Sequence, residues 1–409
     1  MTASSTRSRA DTRTRPVRVV AAGRAARGGV RLPLGPADRE VLWLYVCTRA
    51  GLWVTAYCAR WLFTTDDGSH KAGSVLSSWQ QWDWAFYQRI AQHGYFPGAT
   101  GPWTAGWDNR EAFLPGFPLV LRAVHTVVRN WTAAGLLISF AAGAVAVLAL
   151  ARIARLEPAE PGEPDGSAPG RRAALVFLLS PCAVFLAAGY TEALFLALAL
   201  PAWLAARRGQ WARAGLLTCL ASAVRVNGLF LAVAVALHFL TTSRRWRSAP
   251  WLALPAAAPL LYSWYLHAHT GDWMAWKHAE NRGWYRDFHS PWSAWHHTWT
   301  AAFGHTQNTG YALEFQAELL AMVLGLALLV LLLARRRLPE AAYLALTLWA
   351  LGTSYWYMSV PRSTLLWWPL FTTTPLRARH PHLRTLSLCL AAPLTTVFAL
   401  TFLSGHWAG

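Results

Sequence analysis

Apolar runs long enough to cross a bilayer recur along this chain, each bounded by arginine-rich or aromatic polar stretches. The first, about 41–63, predicts a span that carries Arg49 and Arg60, two charges that need partners or a route to the interface. A second lies at about 132–151. Two short ones, about 173–189 and 193–206, meet at Gly189-Tyr190-Thr191-Glu192. Residues 214–241 are apolar but broken at the middle by Arg225-Val226-Asn227-Gly228. One straight span there would set Arg213 and the Arg244, Arg245, Arg247 group on opposite sides, against the tendency of arginine to stay cytoplasmic. A hairpin of two short helices returns the chain to its own side. Irregular backbone at that depth is tolerated where it lines a polar cavity, which marks the break as part of a site. Further spans are expected at about 250–268, 313–334, 339–358, 361–376 and 384–404. The pattern predicts an all-α polytopic membrane protein with about 11 transmembrane helices.

Between the spans, residues 1–40 hold nine arginines with Gly, Ser and Pro and no apolar periodicity, which predicts a disordered basic cytoplasmic tail before a membrane domain at 41–409. Residues 156–170 read as a Pro/Gly/Glu linker. Arg335-Arg336-Arg337 and the Arg377, Arg379, Arg384 group mark cytoplasmic turns. Two long loops, 64–131 and 269–312, then fall on the external face with Asp83, Glu192, Arg225, Asn227 and Arg362. Costly polar groups converging on one face from distant parts of a sequence are what a site at a membrane surface requires.

Composition sharpens the class. Charged residues make up 14% of the chain and apolar ones 55%, against roughly 25% charged in an ordinary soluble domain. The formal charge of +18 would suggest nucleic acid in a soluble protein, but here the arginines cluster in a tail and short loops, the pattern of topology and anionic membrane lipids. No nucleic-acid partner is expected. No small-residue cleavage site follows the first apolar run, so nothing reads as a cleaved signal peptide. The cysteines Cys47, Cys58, Cys182, Cys219 and Cys389 sit in or beside apolar runs without metal-ligand spacing and read as packing residues.

In the first loop, WDWAFYQRIAQHGYF predicts an amphipathic interfacial helix over 79–93 that sets Asp83, Tyr87 and Ile90 on one side. Asp83 is a candidate general base for a lipid-linked substrate at the membrane surface. A carboxylate that merely caps the helix fits equally well. Asp66, Asp67, Asp108 and Glu111 are its rivals in the same loop. A second amphipathic helix is expected near 112–125, after Pro115-Gly116-Phe117-Pro118. Thr191 and Glu192 have a sufficient role in starting a helix. Arg225, in a helix break with Asn227, offers a fork of donors to phosphate oxygens; pairing with Glu192 for neutrality alone is the competing role. Arg362, in Ser359-Val360-Pro361-Arg362, is a second phosphate ligand or an interfacial anchor. Asn130-Trp131-Thr132 matches a glycosylation sequon but abuts a span.

Several of these stretches occur in a telling order: WDxxxYxxIAxxGY (82–95), AFxPxxP (112–118), PxxxFxxxGYTE (181–192), RxNG (225–228) and a late Pro-Arg before a Trp/Pro-rich span. Together they resemble the bacterial branch of the PIG-V mannosyltransferase family, polyprenol-linked glycosyltransferases of the GT-C fold. The stretch Ala279–Arg286 resembles that family's AQxxWxR loop, which makes Arg286 a further substrate-binding candidate. Phe113-Leu114, Phe117, Glu280 and Ser363 depart from the family pattern, chiefly where an acceptor would bind. The likeness runs over about 41–407 and implies a multi-pass enzyme of the bacterial plasma membrane with its site facing outside. Its donor would be a polyprenyl-phosphate-linked mannose and its acceptor a lipid or glycan. Asp83 would take the acceptor's proton and Arg225, with Arg362, would stabilise the leaving phosphate. No cofactor is demanded; whether Mg or Mn assists is open, because the first loop holds no compact ligand set. A transferase of another polyprenyl-phosphate sugar, such as arabinose, is the alternative. A lipid or solute transporter is a second, although no internal repeat is evident.

Overall fold

The computed structural model describes residues 34–62, 74–96, 108–157, 168–242, 246–373 and 381–409. Asp66, Asp67, Arg244, Arg245, Arg377, Arg379, most of the 156–170 linker and most of the basic tail lie outside them. Described regular structure is helical throughout: α1 (Pro36–Leu62), α2 (Trp84–His93), α3 (Gly116–His125), α4 (Trp131–Ala154), α5 (Ala168–Leu178), α6 (Thr191–Arg207), α7 (Trp211–Val224), α8 (Asn227–Thr242), α9 (Pro250–Ala253), α10 (Ala257–Thr270), α11 (Ala275–Trp284), α12 (Pro291–Phe303), α13 (Thr309–Ala334), α14 (Leu338–Gly352), α15 (Val360–Ser363), α16 (Trp368–Thr373) and α17 (Pro381–Leu403). Short 3₁₀ turns link several of these.

Among the described residues, four helices are long and apolar enough to cross a membrane: α1, α4, α13 and the Thr385–Leu403 part of α17. The other expected spans differ in an instructive way. Helix α5 stops at Leu178, ahead of Pro181. The 250–268 run divides into α9, a 3₁₀ turn over Leu254–Ala256 and α10, with Pro250 and Pro255 at the starts of the pieces. The 361–376 run divides likewise into α15, a turn and α16, at Pro361 and Pro369. Proline lacks the N–H that the helix ladder needs, so each break follows from composition. The break at 225–228 gives the expected hairpin: α7 ends at Val224 and α8 begins at Asn227. Gly228 permits that turn, since a Cβ there would lie 2.3 Å from the Ser222 backbone nitrogen. The 269–312 stretch, read as a loop, contains helices α11 and α12.

Helix α6 forms the centre, packed against α4, α7 and α8. It is buried over nearly its whole circumference, which is why its apolar residues show no single stripe. Its two ends meet different charge clusters. At the C-terminal end, Arg207 lies 3.5 Å from Glu157, which also binds Arg337 at 2.8 Å; Arg337 in turn holds Glu340 at 2.6 Å. These carboxylates outweigh the burial that pulls the Arg337 guanidinium down and leave it above its ordinary value. Asp38 binds Arg152 and Arg155 at 2.6 and 2.8 Å, so α1 begins at Pro36, inside the stretch expected to be tail. The N-terminal end of α6, roughly 25 Å away along its axis, carries the candidate site.

Candidate active site

Asp83 reaches the site through its neighbour. Trp84, the first residue of α2, is almost fully buried against two glycines: a Cβ on Gly135 of α4 or on Gly189 ahead of α6 would lie 2.5 or 2.6 Å from its ring. Only glycine leaves room for the indole there, and the wedge fixes where α2 starts. The start is at Trp84, after a 3₁₀ turn over Val75–Trp79, rather than at 79 as the amphipathic pattern predicts. Asp83 occupies the N-cap position but makes no side-chain cap. Its carboxylate accepts from Arg362 Nη1 at 2.7 Å instead.

Arg362 comes from α15, and its guanidinium joins two acids. Nε donates to Glu192 Oε1 at 2.5 Å while Nη1 serves Asp83. The plane lies over the rings of Phe185 and Tyr190, each 4.7 Å from the guanidinium carbon. Arg225, the last residue before the α7–α8 turn, donates through Nη1 to the same Glu192 oxygen at 2.7 Å and to Thr191 Oγ1 at 2.6 Å. Thr191 and Glu192 therefore serve arginines; the N-cap of α6 is Tyr190, whose own hydroxyl donates to the Gln81 carbonyl at 2.6 Å.

Two carboxylates and two guanidiniums thus form one charge-balanced quartet. Glu192 is wholly buried and Arg362 nearly so, while the side chains of Asp83 and Arg225 keep 16% and 20% of their surface. Access to the quartet is from the Asp83 and Arg225 side. Two of its buried atoms have no hydrogen-bond partner, Glu192 Oε2 and Arg225 Nε. A part-exposed guanidinium beside a part-exposed carboxylate can take an anionic group and a hydroxyl side by side.

The remaining sequence candidates fall around this centre. Tyr87 packs edge-on against Phe113, Phe117 and Tyr190, and burial pushes its phenol up. It supports the wall behind the quartet. Asn227 is buried in the first turn of α8, two residues from Arg225. Arg286 follows α11 and pairs with Glu280 at 3.7 Å, apart from the quartet. Of the rival acids, Asp108 accepts from Arg110 Nε at 2.5 Å, and Arg110 also binds the Gly94 carbonyl at the end of α2. Glu111 presents its carbonyl to the Tyr262 hydroxyl at 2.9 Å. Among the described residues, no group of three His, Cys, Asp or Glu side chains could hold a metal ion.

One contributor was missed by the sequence reading. Glu318, buried in α13, accepts the backbone N–H of Ser359 at 2.6 Å through Oε1 and that of Val360 at 2.8 Å through Oε2. Ser359 has φ +66°, a left-handed conformation that a serine adopts at some cost. The carboxylate stabilises that turn and so sets the origin of α15, three residues ahead of the bridging arginine. The signal was available: Glu314 and Glu318 are acids four residues apart at the start of an otherwise apolar span.

Residues 69–247 match the family model described as Mannosyltransferase (PIG-V). That stretch holds Asp83, Glu192 and Arg225 and ends before Arg362. The chain is 33% identical over 195 residues to mouse GPI alpha-1,6-mannosyltransferase 2, an alignment covering 46% of this chain and 36% of that protein. The rat protein of the same name is 36% identical over 171 residues, 40% of this chain and 32% of its own. The human one is 34% identical over 161 residues, 38% and 30%. The alignments thus span about a third of the length of these relatives. No solved structure matches the chain. The apolar helices and these similarities together support a multi-pass membrane protein related to PIG-V mannosyltransferases.

Proposed function

We propose that the chain is a membrane mannosyltransferase of the GT-C type. It moves a mannosyl residue from a polyprenyl-phosphate donor to a glycolipid or glycan acceptor at the outer face of a bacterial plasma membrane. The observation that carries this reading is the quartet of Asp83, Arg362, Glu192 and Arg225, partly open on the side of one carboxylate and one guanidinium. The resemblance of residues 69–247 to mannosyltransferases supplies the sugar.

In the reaction, Asp83 takes the proton of an acceptor hydroxyl, whose oxygen attacks the anomeric carbon as the bond to the phosphate oxygen breaks. Attack from the face opposite the leaving group inverts the configuration. The leaving group departs as lipid phosphate, so it needs cations rather than a proton. Arg225, whose side chain is the more open of the two, and Arg362 stabilise the charge that grows on it. Glu192 keeps both guanidiniums oriented.

Purified protein in nanodiscs, given radiolabelled polyprenyl-phosphate-mannose and a crude lipid extract, tests the reading. Label should pass to a new lipid with wild type and fail to pass with Asp83→Asn or Arg225→Ala. Transfer that survives Asp83→Asn overturns the assigned base. No transfer and no donor binding by wild type overturns the mannose donor, and the same assay with polyprenyl-phosphate-arabinose then decides the alternative.

A further inference from the structure

Residues that adjoin the quartet along the chain line a cavity of about 300 Å³. Trp82, Trp284, Trp356 and Trp407 line it together with Glu314 and Glu318. Both flanks lead directly to the quartet. On one, Trp82 precedes Asp83 in the chain, with its indole edge-on to Trp407 at 5.3 Å and donating from Nε1 to the His406 carbonyl at 3.2 Å. On the other, residues 356–358 line the wall and run into the Ser359 turn that Glu318 holds and so into Arg362. Trp284 closes a third side, packed on Phe86 of α2 at 5.6 Å and on Phe113 at 5.3 Å.

The chemistry of this wall is opposite to that of the quartet. Its lining contains two carboxylates and no lysine or arginine. Glu314 has a buried oxygen, Oε2, with no hydrogen-bond partner. Such a surface offers a phosphate no cation, so the donor's anionic group belongs with Arg225 and Arg362. Indole faces stack on the C–H faces of a pyranose ring, and the half-buried Glu314 on the lining can accept a sugar hydroxyl.

We infer that the cavity is the acceptor subsite: it takes a neutral sugar ring stacked on Trp284 or Trp356, with a hydroxyl donated to Glu314. A ring seated there contacts Trp82, the chain neighbour of Asp83, which is the assigned base. The assignment rests on the transferase reading for its purpose, but the binding itself does not.

The test is saturation-transfer NMR on the full chain in detergent micelles, with methyl α-D-mannopyranoside as one probe and inorganic phosphate as competitor. Ring protons of the glycoside should receive saturation from wild type and from the folding control Asn130→Ala. Binding should weaken by about tenfold in Glu314→Gln, the scale of one charge-assisted hydrogen bond. Trp284→Ala should lose it to a similar degree, and phosphate should not compete. Where transfer is measurable, Glu314→Gln should raise the KM for acceptor and leave that for donor unchanged. Equal binding in wild type and Glu314→Gln overturns the subsite, as does competition by phosphate. Sugar binding in a protein that transfers no mannose would overturn the proposed function and with it the acceptor role, and leave the cavity as a sugar-binding site.

Discussion

Arg362 Nη1 sits 2.7 Å from Asp83 Oδ2, joining positions 279 residues apart in the sequence. The same guanidinium reaches Glu192, so its planar fork, rather than its charge alone, holds the two acids at a fixed spacing. A lysine would keep the charge and lose the fork. Arg362→Lys should therefore leave a folded protein whose transfer falls by about a hundredfold, the lower range for loss of one preorganised donor. Arg362→Ala should in addition destabilise by up to about 3 kcal/mol, because it leaves Asp83 without its guanidinium and the buried Glu192 with Arg225 alone. Thermal unfolding in detergent beside the transfer assay separates the two effects.

Glu318 offers a second, indirect handle on that arginine. Glu318→Ala orphans the N–H groups of Ser359 and Val360, each at about 1–3 kcal/mol when buried. Glu318→Gln keeps one acceptor oxygen and should recover part of the loss. Stability and turnover should follow the order wild type, Gln, Ala; a Gln variant as poor as Ala would show that both oxygens are indispensable.

Gly228→Ala tests the turn that aims Arg225. The new methyl would meet the backbone of Ala221 and Ser222, which cannot swing aside as a flexible side chain would. Overpacking of this kind costs about 1–3 kcal/mol. The expected result is a lower unfolding temperature together with a loss of transfer that exceeds the loss of folded protein.

Asn130 provides the counter-case. Its side chain accepts the Ala133 N–H at 2.9 Å and caps α4, which accounts for the residue without glycosylation. Asn130→Ala should cost about 1 kcal/mol in stability and leave transfer per folded molecule unchanged. A large fall in transfer with unaltered stability would contradict the capping role.

The approach to α11 should respond to acid. Burial pushes the Asp272 carboxyl up, but His278 at 2.6 Å, the Met274 N–H at 2.8 Å and the charges of His278 and Arg282 outweigh it and leave the carboxyl below its ordinary value. A depressed carboxylate contributes stability that is fully present above its unfolded value of about 3.9 and is lost as pH falls through the folded one. Hydrogen exchange over residues 271–284 should thus accelerate only below about pH 4, and Asp272→Asn should remove that step. Acceleration already near neutral pH would point to another group.

The sequence carried the helical class, the hairpin at 225–228 and five of the residues that gather at the site or its wall. Those signals are local: apolar length, a polar break, an acid at a helix start. What it did not carry depends on distance. Nothing in WDWAFY says that Asp83 is bridged rather than capping, because its partner lies in a helix of four residues that hydropathy reads as part of a span. The pieces of the 250–268 and 361–376 runs escaped for a related reason: apolar content sets where chain is buried, and prolines within it set where that chain bends.

The quartet also constrains how such a protein is made. Its four charged groups arrive from the loop before α2, the start of α6, the end of α7 and the interior of α15, and together they sum to zero. Each alone is an expensive passenger in a bilayer. Glu192 and Arg225 enter within one stretch of chain and can neutralise each other early. Asp83 must wait until residue 362 has been synthesised. Until then the Asp83 carboxylate lacks the guanidinium it meets in the folded protein, so the quartet is completed only after most of the chain has been made.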